Sequence, residues 1–220
     1  MRRLALSARD RCNGCRLPPR WCVCAAADLI RVPLAVEVLI HQREHHRPSS
    51  TGNLVARVIA GARPHAWGFT TTSAPADLLI AGRETWILHP HGEPPPPGAA
   101  PDRVQALLLD GAWAEAAVMQ RVLAPTGRLV ALRMTGKSRY WLRAQQDGGR
   151  FSTAEALIEL LGFFGLEEAA ARLRAQLELH VYAHLRARGR AELAAEFLAG
   201  SPIREAFPDL IAQLNTRRPR

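Results

Sequence analysis

The sequence has almost no lysine, no long apolar run and no cysteine beyond residue 24. Lysine and arginine together number 29 against 20 aspartates and glutamates, and Lys137 is the only lysine, so arginine carries nearly all of the net charge of +9. No stretch approaches the ~18 apolar residues that a transmembrane helix needs. The short apolar patch after Arg2-Arg3 is interrupted by Asp10 and Arg11, which argues against a secretory signal. We therefore expect a cytoplasmic protein that does not enter a membrane.

Two nucleotide-binding motifs are also missing. No G-x-G-x-x-G follows a predicted strand, and the chain has no complete Walker A motif, so NAD and nucleoside triphosphates are not favoured as ligands. Arginine is present in excess, and its planar guanidinium matches a phosphate group. This excess indicates either a polyanionic partner such as nucleic acid or only a GC-rich coding sequence. The 220 residues suffice for one substantial domain with a small appendage.

All of the cysteines lie close together near the N-terminus in the pattern C-x2-C-x6-C-x-C: Cys12, Cys15, Cys22 and Cys24. Disulfides are not expected in a reducing cytoplasm, and four thiolates so close in sequence suit one tetrahedral zinc ion. Because four cysteines fill the coordination shell, this zinc is expected to be structural. The alternative is four unligated thiols. The basic and aromatic residues that flank this knuckle could contact RNA: Arg11, Arg16, Arg20 and Trp21.

Hydrophobic periodicity predicts strands that alternate with helices. The predicted strands cover residues 34–40, 63–71, 85–88, 104–109 and 128–133, and the predicted helices cover 53–60, 114–123, 157–164, 166–186, 191–199 and 203–214. This alternation predicts an α/β fold with a mostly parallel sheet and helices on both faces. We expect three parts: a zinc knuckle over 1–30, a catalytic α/β domain over 31–187 and a C-terminal helical extension over 188–220.

Three predicted strands end in polar or kinked sequence. Asp110 follows a buried strand and precedes Gly111 and Trp113, and ligands of open α/β sheets bind at the carboxyl ends of strands. Asp110 could instead only cap the next helix. The cluster that begins at His41 favours phosphate contact or substrate orientation over a metal site, with a solvated polar loop as the alternative. His89-Pro90 ends a third strand.

Two later stretches carry further candidate binding residues. Basic and aromatic residues interleave between Met134 and Gly149, a composition that suits phosphate pairing and base stacking. The alternative for that stretch is an amphipathic edge strand. Ser152 to Glu155 has the spacing of a capping box. The N–H groups of such a helix N-terminus also bind carboxylates.

Six motifs occur in a fixed order: C-x2-C…C-x-C, H-x-x-E with a following T-G, L-H-P, D-G-A-W, S-x-Y-x-x-R and S-T-x-E-A. Together they resemble the DTW-domain family of tRNA-uridine aminocarboxypropyltransferases, over roughly Arg11 to Leu161. The family usually has a threonine between the aspartate and the tryptophan, whereas this chain has Gly111-Ala112. A hydroxyl that could hold the substrate or the aspartate is therefore missing.

The resemblance implies a fold related to the SPOUT RNA methyltransferases, with a trefoil knot that periodicity alone does not predict. It implies S-adenosylmethionine as the donor and tRNA as the partner. The 3-amino-3-carboxypropyl group would move to N3 of a uridine, and methylthioadenosine would leave. Asp110 is then the candidate catalytic residue, as the general base or as the group that orients N3–H.

The resemblance also suggests roles for the other candidate residues. The donor is expected to lie in a cradle at the strand ends: Leu88, His89, Pro90, Leu109, Gly111, Trp113, Leu132 and Thr135. Its amino-acid carboxylate is expected at Ser152 and Thr153. We expect His41, Arg43 and Glu44 to position the target nucleotide. Backbone phosphate is expected to bind Arg139, Tyr140 and Arg143.

Two rival functions remain at this point. A SPOUT-type RNA methyltransferase would use the same fold and donor but would transfer a methyl group. A non-catalytic zinc- and RNA-binding protein would bind tRNA without binding the donor. Sequence leaves the oligomeric state open between a monomer and a homodimer.

Overall fold

The computed structural model describes residues 11–68, 70–71, 73–143 and 150–216. These residues form a five-stranded sheet in the order β2-β1-β4-β3-β5, and every neighbouring pair of strands is parallel. Parts of the predictions lie outside the described residues, namely the first ten residues of the predicted knuckle domain, positions 69, 72 and 144–149, and the tail over 217–220.

The strands lie in the first two thirds of the chain, where helices separate some of them, and only helices follow among the described residues. The strands are β1 Ala35–His41, β2 Arg63–Trp67, β3 Glu84–Glu93, β4 Val104–Asp110 and β5 Arg128–Val130. The helices are α1 Gln42–His45, α2 Thr51–Val58, α3 Trp113–Leu123, α4 Thr153–Phe163, α5 Glu167–Ala187, α6 Ala191–Ala199, α7 Ile203–Ala206 and α8 Pro208–Asn215. Short 3-10 turns lie at Pro19–Trp21, Cys24–Ala26, Pro101–Arg103 and Ala124–Thr126.

The sheet carries helices on both faces, and successive strand residues contribute to opposite layers. Val38 and Leu108 face the larger core, which also holds apolar residues of α2, α4 and α5. Leu39 and Leu107 face a smaller core that is closed by Met119 of α3. Burial on both faces explains why β1 and β4 are nearly continuous apolar runs.

The connections that follow the neighbouring strands β1 and β4 run toward opposite edges of the sheet. From β1 the chain moves outward to β2, and from β4 it moves outward in the opposite direction to β5. Ile40 of β1 pairs in register with Asp110 of β4. The carboxyl ends of these two strands therefore flank the crevice in which open α/β sheets bind ligands.

The helices after the sheet pack around α5, whose central residues are fully buried. Phe197 of α6, Ile203 of α7 and Leu214 of α8 are buried in the same core as Leu177 and Tyr182 of α5. Tyr182 Oη donates to Asn215 Oδ1 at 2.7 Å. The C-terminal helices thus close the side of the larger core that faces away from the sheet.

The α/β fold and the parallel sheet confirm the prediction from periodicity, and several element boundaries differ. β3 extends beyond the predicted 85–88, because its pairing with β5 shifts between Leu88 and Glu93. Pro90, which lacks an N–H, lies within that irregular stretch and costs no ladder hydrogen bond there. Pro208 divides the predicted helix over 203–214 into α7 and α8.

Three other expectations stay predictions, namely the knot, the relation to SPOUT enzymes and the division into three parts. The N-terminal segment shares the larger core with α5 through Leu17 and Val23. Within the described residues, no helix is both long and apolar enough to cross a membrane.

Candidate active site and metal centre

Asp110 ends β4 and is held by two hydroxyl groups. Its Oδ2 accepts a hydrogen bond from Ser50 Oγ at 2.7 Å, and its Oδ1 accepts one from Thr153 Oγ1 at 2.7 Å. Ser50 caps α2, because its Oγ also accepts from Asn53 N at 3.0 Å, and Thr153 is the first residue of α4. The carboxylate therefore lies between the N-terminal ends of two helices and is 6% exposed.

The close approach of α2 to this carboxylate explains the glycine of the T-G motif. A Cβ atom at Gly52 would lie 2.7 Å from the Cβ of Asp110 and 2.8 Å from its Oδ2. Contacts this short are excluded between real atoms, so only glycine lets α2 begin beside Asp110.

An apolar pocket of about 110 Å³ lies on one side of Asp110. Its walls come from the ends of β3 and β4 and from the facing sides of α3 and α4. Its lining includes Leu88, His89, Pro90, Leu108, Leu109, Gly111, Trp113, Ala116, Arg143, Phe151, Ser152, Thr153 and Ala156.

A larger cavity of about 720 Å³ adjoins this pocket and, unlike it, includes Asp110 in its lining. Its cationic residues come from four separate places in the chain: Arg47, Arg143, Arg150 and Arg188. Trp113 and Arg143 line both cavities. Trp113 is 45% exposed at this boundary, and the Arg150 guanidinium lies 5.9 Å from the centroid of its ring.

The four cysteines, which precede the first strand in sequence, come together in the structure. Their sulfur atoms all lie within 4.8 Å of one another, with Cys12 Sγ 3.6 Å from Cys24 Sγ and Cys15 Sγ 3.7 Å from Cys22 Sγ. Tetrahedral coordination with Zn–S bonds of about 2.3 Å places sulfurs about 3.8 Å apart. The donor set and its spacing therefore fit one zinc ion, and no pair of these cysteines forms a disulfide.

A family model of the DTW domain matches residues 9–185. The chain belongs to the DTW-domain family. No solved structure matches it. The match begins before the first cysteine and ends in α5, so it covers the cysteine cluster, the whole sheet and Asp110. Membership is consistent with a role in tRNA modification.

Most of the residues expected to cradle a donor in this DTW domain do meet at the apolar pocket. They are Leu88, His89, Pro90, Leu109, Gly111, Trp113, Ser152 and Thr153. Leu132 and Thr135 do not line it. Leu132 packs against the larger core, because β5 ends at Val130 and the chain has already left the sheet.

The Ser152 and Thr153 side chains already have partners inside the protein. Ser152 Oγ accepts from Glu155 N at 3.3 Å and Ser152 N donates to Glu155 Oε2 at 2.6 Å, which completes the expected capping box. Thr153 Oγ1 donates to Asp110. The Ser152 hydroxyl therefore caps α4, and the Thr153 hydroxyl orients Asp110. The backbone N–H groups in the first turn of α4 remain for the expected donor carboxylate.

The predicted cluster at the end of β1 is organised around Glu115 of α3. His41 Nδ1 and Arg43 Nη1 both lie 3.3 Å from Glu115 Oε1. Glu44 lines the basic cavity and pairs with Arg47. Burial raises the pKa of Glu44, as do the nearby Asp110 and Glu115, against the opposing effect of Arg47. Neither His41, which is buried, nor Arg43, which is exposed, lines the basic cavity or the apolar pocket.

The three predicted phosphate contacts separate in the structure. Tyr140 and Arg143 line a cavity, and the Arg143 guanidinium lies 5.1 Å from the centroid of the Tyr140 ring. Tyr140 Oη donates to Ser49 O at 2.6 Å, and burial raises the pKa of Tyr140. Arg139 instead faces the C-terminal helices. Its Nη2 donates to Glu178 Oε2 at 2.9 Å and to Phe197 O at 3.0 Å.

The missing threonine of the motif has a local structural meaning. Ala112 is the N-cap of α3 and has no side-chain acceptor for the helix. Only the reciprocal half of a capping box is present, in which Ala112 N donates to Glu115 Oε2 at 2.7 Å. Asp110 is held by Ser50 and Thr153, so the absent hydroxyl removes a helix cap and leaves the support of the aspartate intact.

Sequence analysis does not single out four residues that contribute to the site: Ser50, Arg47, Arg150 and Arg188. The signal for Ser50 was its place as an N-cap beside a predicted strand end. Arg188 lies just beyond α5, and nothing in its local sequence indicates a position in the basic cavity.

Hydrogen bonds fix the backbone of the cysteine cluster, and the pKa values of its thiols differ. Arg16 adopts a φ of 58°, which lets Arg16 N donate to Cys12 O and Cys12 N donate to Leu17 O, both at 2.8 Å. A hydrogen bond from the Cys15 backbone lowers the pKa of Cys12 to about 6, whereas burial raises that of Cys24 to about 12. A bound cation would favour the thiolate form of all four sulfurs.

Proposed function

We propose that this protein transfers the 3-amino-3-carboxypropyl group of S-adenosylmethionine to N3 of a uridine in tRNA. The observation that carries the proposal is the position of Asp110, a buried carboxylate that lines an arginine-rich cavity and whose neighbours Leu109 and Gly111 line an adjoining apolar pocket. An apolar pocket suits the thioether and base of the donor. Arginines suit the phosphates of an RNA.

The proposed chemistry needs one base and no redox partner. Asp110 accepts the proton of uridine N3–H as N3 attacks the γ carbon of the aminocarboxypropyl chain. The N3–Cγ bond forms as the bond from Cγ to the sulfonium breaks, and the electron pair of that bond stays on sulfur. The products are the modified uridine, neutral methylthioadenosine and one proton. Ser50 and Thr153 each bind one carboxylate oxygen, which fixes the direction in which Asp110 presents its remaining lone pairs.

The donor is assigned to the apolar pocket by the chemistry of its walls. Leu88, Leu108 and Ala156 offer apolar contact to the methylthioadenosine part. The backbone N–H groups of the first turn of α4 would bind the donor carboxylate, since a helix N-terminus favours an anion. In this arrangement the γ carbon is brought toward Asp110, which lies next to that turn.

The RNA is assigned to the larger cavity. Its four arginines supply phosphate contacts, and the exposed Trp113 supplies a face on which a base can stack. Glu44 lies beside the arginines and is available to accept a hydrogen bond from the target nucleotide. His41 and Arg43 act through Glu115, which holds the start of α3 beside Asp110.

Zinc is proposed as a structural ion at the cysteine cluster. Support comes from the sulfur spacing and from the contacts of the cluster with the core, where Cys15 is buried. Cys12, Cys15, Cys22 and Cys24 would fill all four positions of a tetrahedral ion. No step of the reaction passes through it.

The test is an incubation of the protein with unmodified tRNA and S-adenosylmethionine, read by mass spectrometry of the nucleosides. We expect aminocarboxypropyl-uridine together with released methylthioadenosine. A methylated nucleoside together with S-adenosylhomocysteine would overturn the transfer chemistry in favour of a methyltransferase. Absence of product, with no donor binding by calorimetry, would leave a zinc- and RNA-binding protein.

A further inference from the structure

A third cavity of about 230 Å³ lies between the cysteine cluster and the helices α2 and α5. Its lining combines Gly14 and Arg16 of the cysteine segment with Arg57 of α2 and His180 of α5. This volume is well above the ~30 Å³ share of one water molecule, so it admits a tetrahedral anion. The proposed reaction uses none of these four residues.

Arginine supplies the formal charges of this cavity. Three arginines line it, Arg16, Arg47 and Arg57, together with Cys15 of the cysteine cluster, and none of the described residues in its lining is an aspartate or glutamate. Arg47 pairs with Glu44 on the side of the basic cavity, and Arg16 donates to His45 O. The Nε atom of Arg57 is buried without a hydrogen-bond partner.

His180 adds a second set of unused polar atoms to the same cavity. It is 2% exposed, and although the Ser49 backbone interacts with it, neither of its ring nitrogens makes a hydrogen bond of normal geometry. Burial and the nearby His184 and Arg57 lower its pKa, and a neutral imidazole carries one N–H that can donate. A buried polar group without a partner is unfavourable. A bound anion would satisfy both His180 and Arg57.

The position of the cavity relates it to Asp110. Arg47, Pro48 and Ser50 line both this cavity and the basic cavity, and Ser50 donates to Asp110. The segment 47–50 would therefore separate an anion bound here from the reacting groups at Asp110. That separation suits a phosphate next to the target nucleotide in the same strand.

We propose that the cavity formed by Arg16, Arg57 and His180 binds a backbone phosphate of the RNA substrate, so that the cysteine segment forms one wall of the RNA site. The proposal rests on the proposed function in one respect, that tRNA is the substrate. It adds a binding subsite and gives the cysteine segment a role in substrate binding.

The experiment measures tRNA affinity over a series of salt concentrations, without donor, for the zinc-loaded protein and for Arg57→Gln. We expect the substitution to weaken tRNA binding roughly tenfold and to reduce the slope of log affinity against log salt by about 0.7 to 0.9. The control is Arg103→Gln. Arg103 is exposed and lies just before β4, at the end of that strand opposite Asp110. This change should alter neither the tRNA affinity nor the salt slope.

A second measurement uses inorganic phosphate as the probe. Phosphate should raise the melting temperature of the wild type and of Arg103→Gln but not that of Arg57→Gln. Loss of this phosphate effect with unchanged tRNA affinity would overturn the assignment to RNA and identify a site for a free phosphate. Unchanged behaviour in both measurements would overturn the proposal altogether and make Arg57 a packing residue.

Failure of this proposal can be told apart from failure of the proposed function. The two binding measurements need neither donor nor turnover, so they stand even if mass spectrometry finds no aminocarboxypropyl product. Conversely, Arg57→Gln that forms product with unaltered tRNA affinity would leave the transfer reaction intact and remove only the subsite.

Discussion

The two cavities that meet at Asp110 are built in different ways. The apolar pocket is walled by the ends of β3 and β4 and by α3 and α4, with buried residues such as Leu88 and Leu108. The basic cavity is walled largely by connecting segments, which carry Arg47, Arg143 and Arg150. Under the proposed function, regular elements would hold the small donor, and loops would carry the charges that meet the RNA.

This difference separates two requirements of the proposed reaction. A sulfonium donor must be held away from water in one geometry, which favours packed strands and helices. A tRNA is held by many phosphate contacts of similar strength, for which long arginine side chains on loops suffice. The comparison holds only if changes in one cavity leave binding in the other unaltered.

The largest effect is expected at Asp110, which lines the basic cavity and is flanked by Leu109 and Gly111 of the apolar pocket. Asp110→Asn should lower the rate of transfer by about 10² to 10⁴, because proton transfer is lost, and should leave the affinities for donor and tRNA close to those of the wild type. Single-turnover kinetics with separate binding titrations would measure this. Asp102→Asn, before β4, is the control. Full activity of Asp110→Asn would show that Asp110 is not the base.

The next effect should be confined to the apolar side. Ala156→Leu places a larger side chain in the wall of the pocket and should weaken donor binding roughly tenfold or more, since a filled pocket loses its ligand contacts. Affinity for tRNA should not change. Calorimetry with the donor and filter binding with tRNA measure the two sides. Ala195→Leu, on an exposed position of α6, is the matched control, and equal losses in both assays would contradict the separation.

The reciprocal change removes one charge from the basic side. Arg150→Gln should weaken tRNA binding a few-fold and reduce the salt slope by about 0.7 to 0.9, as expected for one lost phosphate contact. Donor affinity should stay constant. Arg143 lines both cavities, so Arg143→Gln should weaken both ligands. Salt-dependent binding of the two variants side by side would test this, and an Arg150 variant with impaired donor binding would break the comparison.

The local sequence pattern explains why the parallel sheet and the position of Asp110 at a strand end could be predicted. The apolar run of β4 and the turn at Gly111 are set by neighbours in sequence, and parallel strands bring their carboxyl ends to one edge without further information. Arg139 shows where local reasoning stops. Its partner Glu178 is 39 residues away on α5, and the local sequence of Arg139 resembles that of the cavity-lining Arg143. Only the packing of distant helices distinguishes the two.

A smaller effect concerns stability on the basic side. Burial lowers the pKa of His184 to about 3, and His184 Nε2–H donates to Pro48 O at 3.0 Å, which holds the wall of the basic cavity. The unfolded state binds this proton near pH 6.5, so stability is complete above that pH and falls as pH drops toward 3, by up to about 1.4 kcal/mol per unit from this group. Denaturant titrations at several pH values should show a shallower acid loss for His184→Gln, and an unchanged slope would contradict this origin.

The smallest effect is expected at Ala112, where α3 begins. Ala112→Thr supplies the missing acceptor for the first turn of α3 and should raise the free energy of unfolding by about 1 kcal/mol. Transfer activity should change little, because Asp110 is held by other hydroxyls. Ala112→Val, which has similar bulk and no acceptor, is the control for denaturant unfolding. A large gain in activity would instead show that the hydroxyl contacts substrate.

The cysteine cluster also bears on the order in which the chain is made and folded. Its four sulfurs come from one short segment, so it can close soon after that segment leaves the ribosome. Its anchors on α5 come much later: Arg172 pairs with Asp28, 144 residues away, and Gln176 donates to Ala26 O, 150 residues away. Contacts so distant in sequence form late. During synthesis the cysteine segment can therefore join the core only once α5 has been made, and until then its apolar side is exposed.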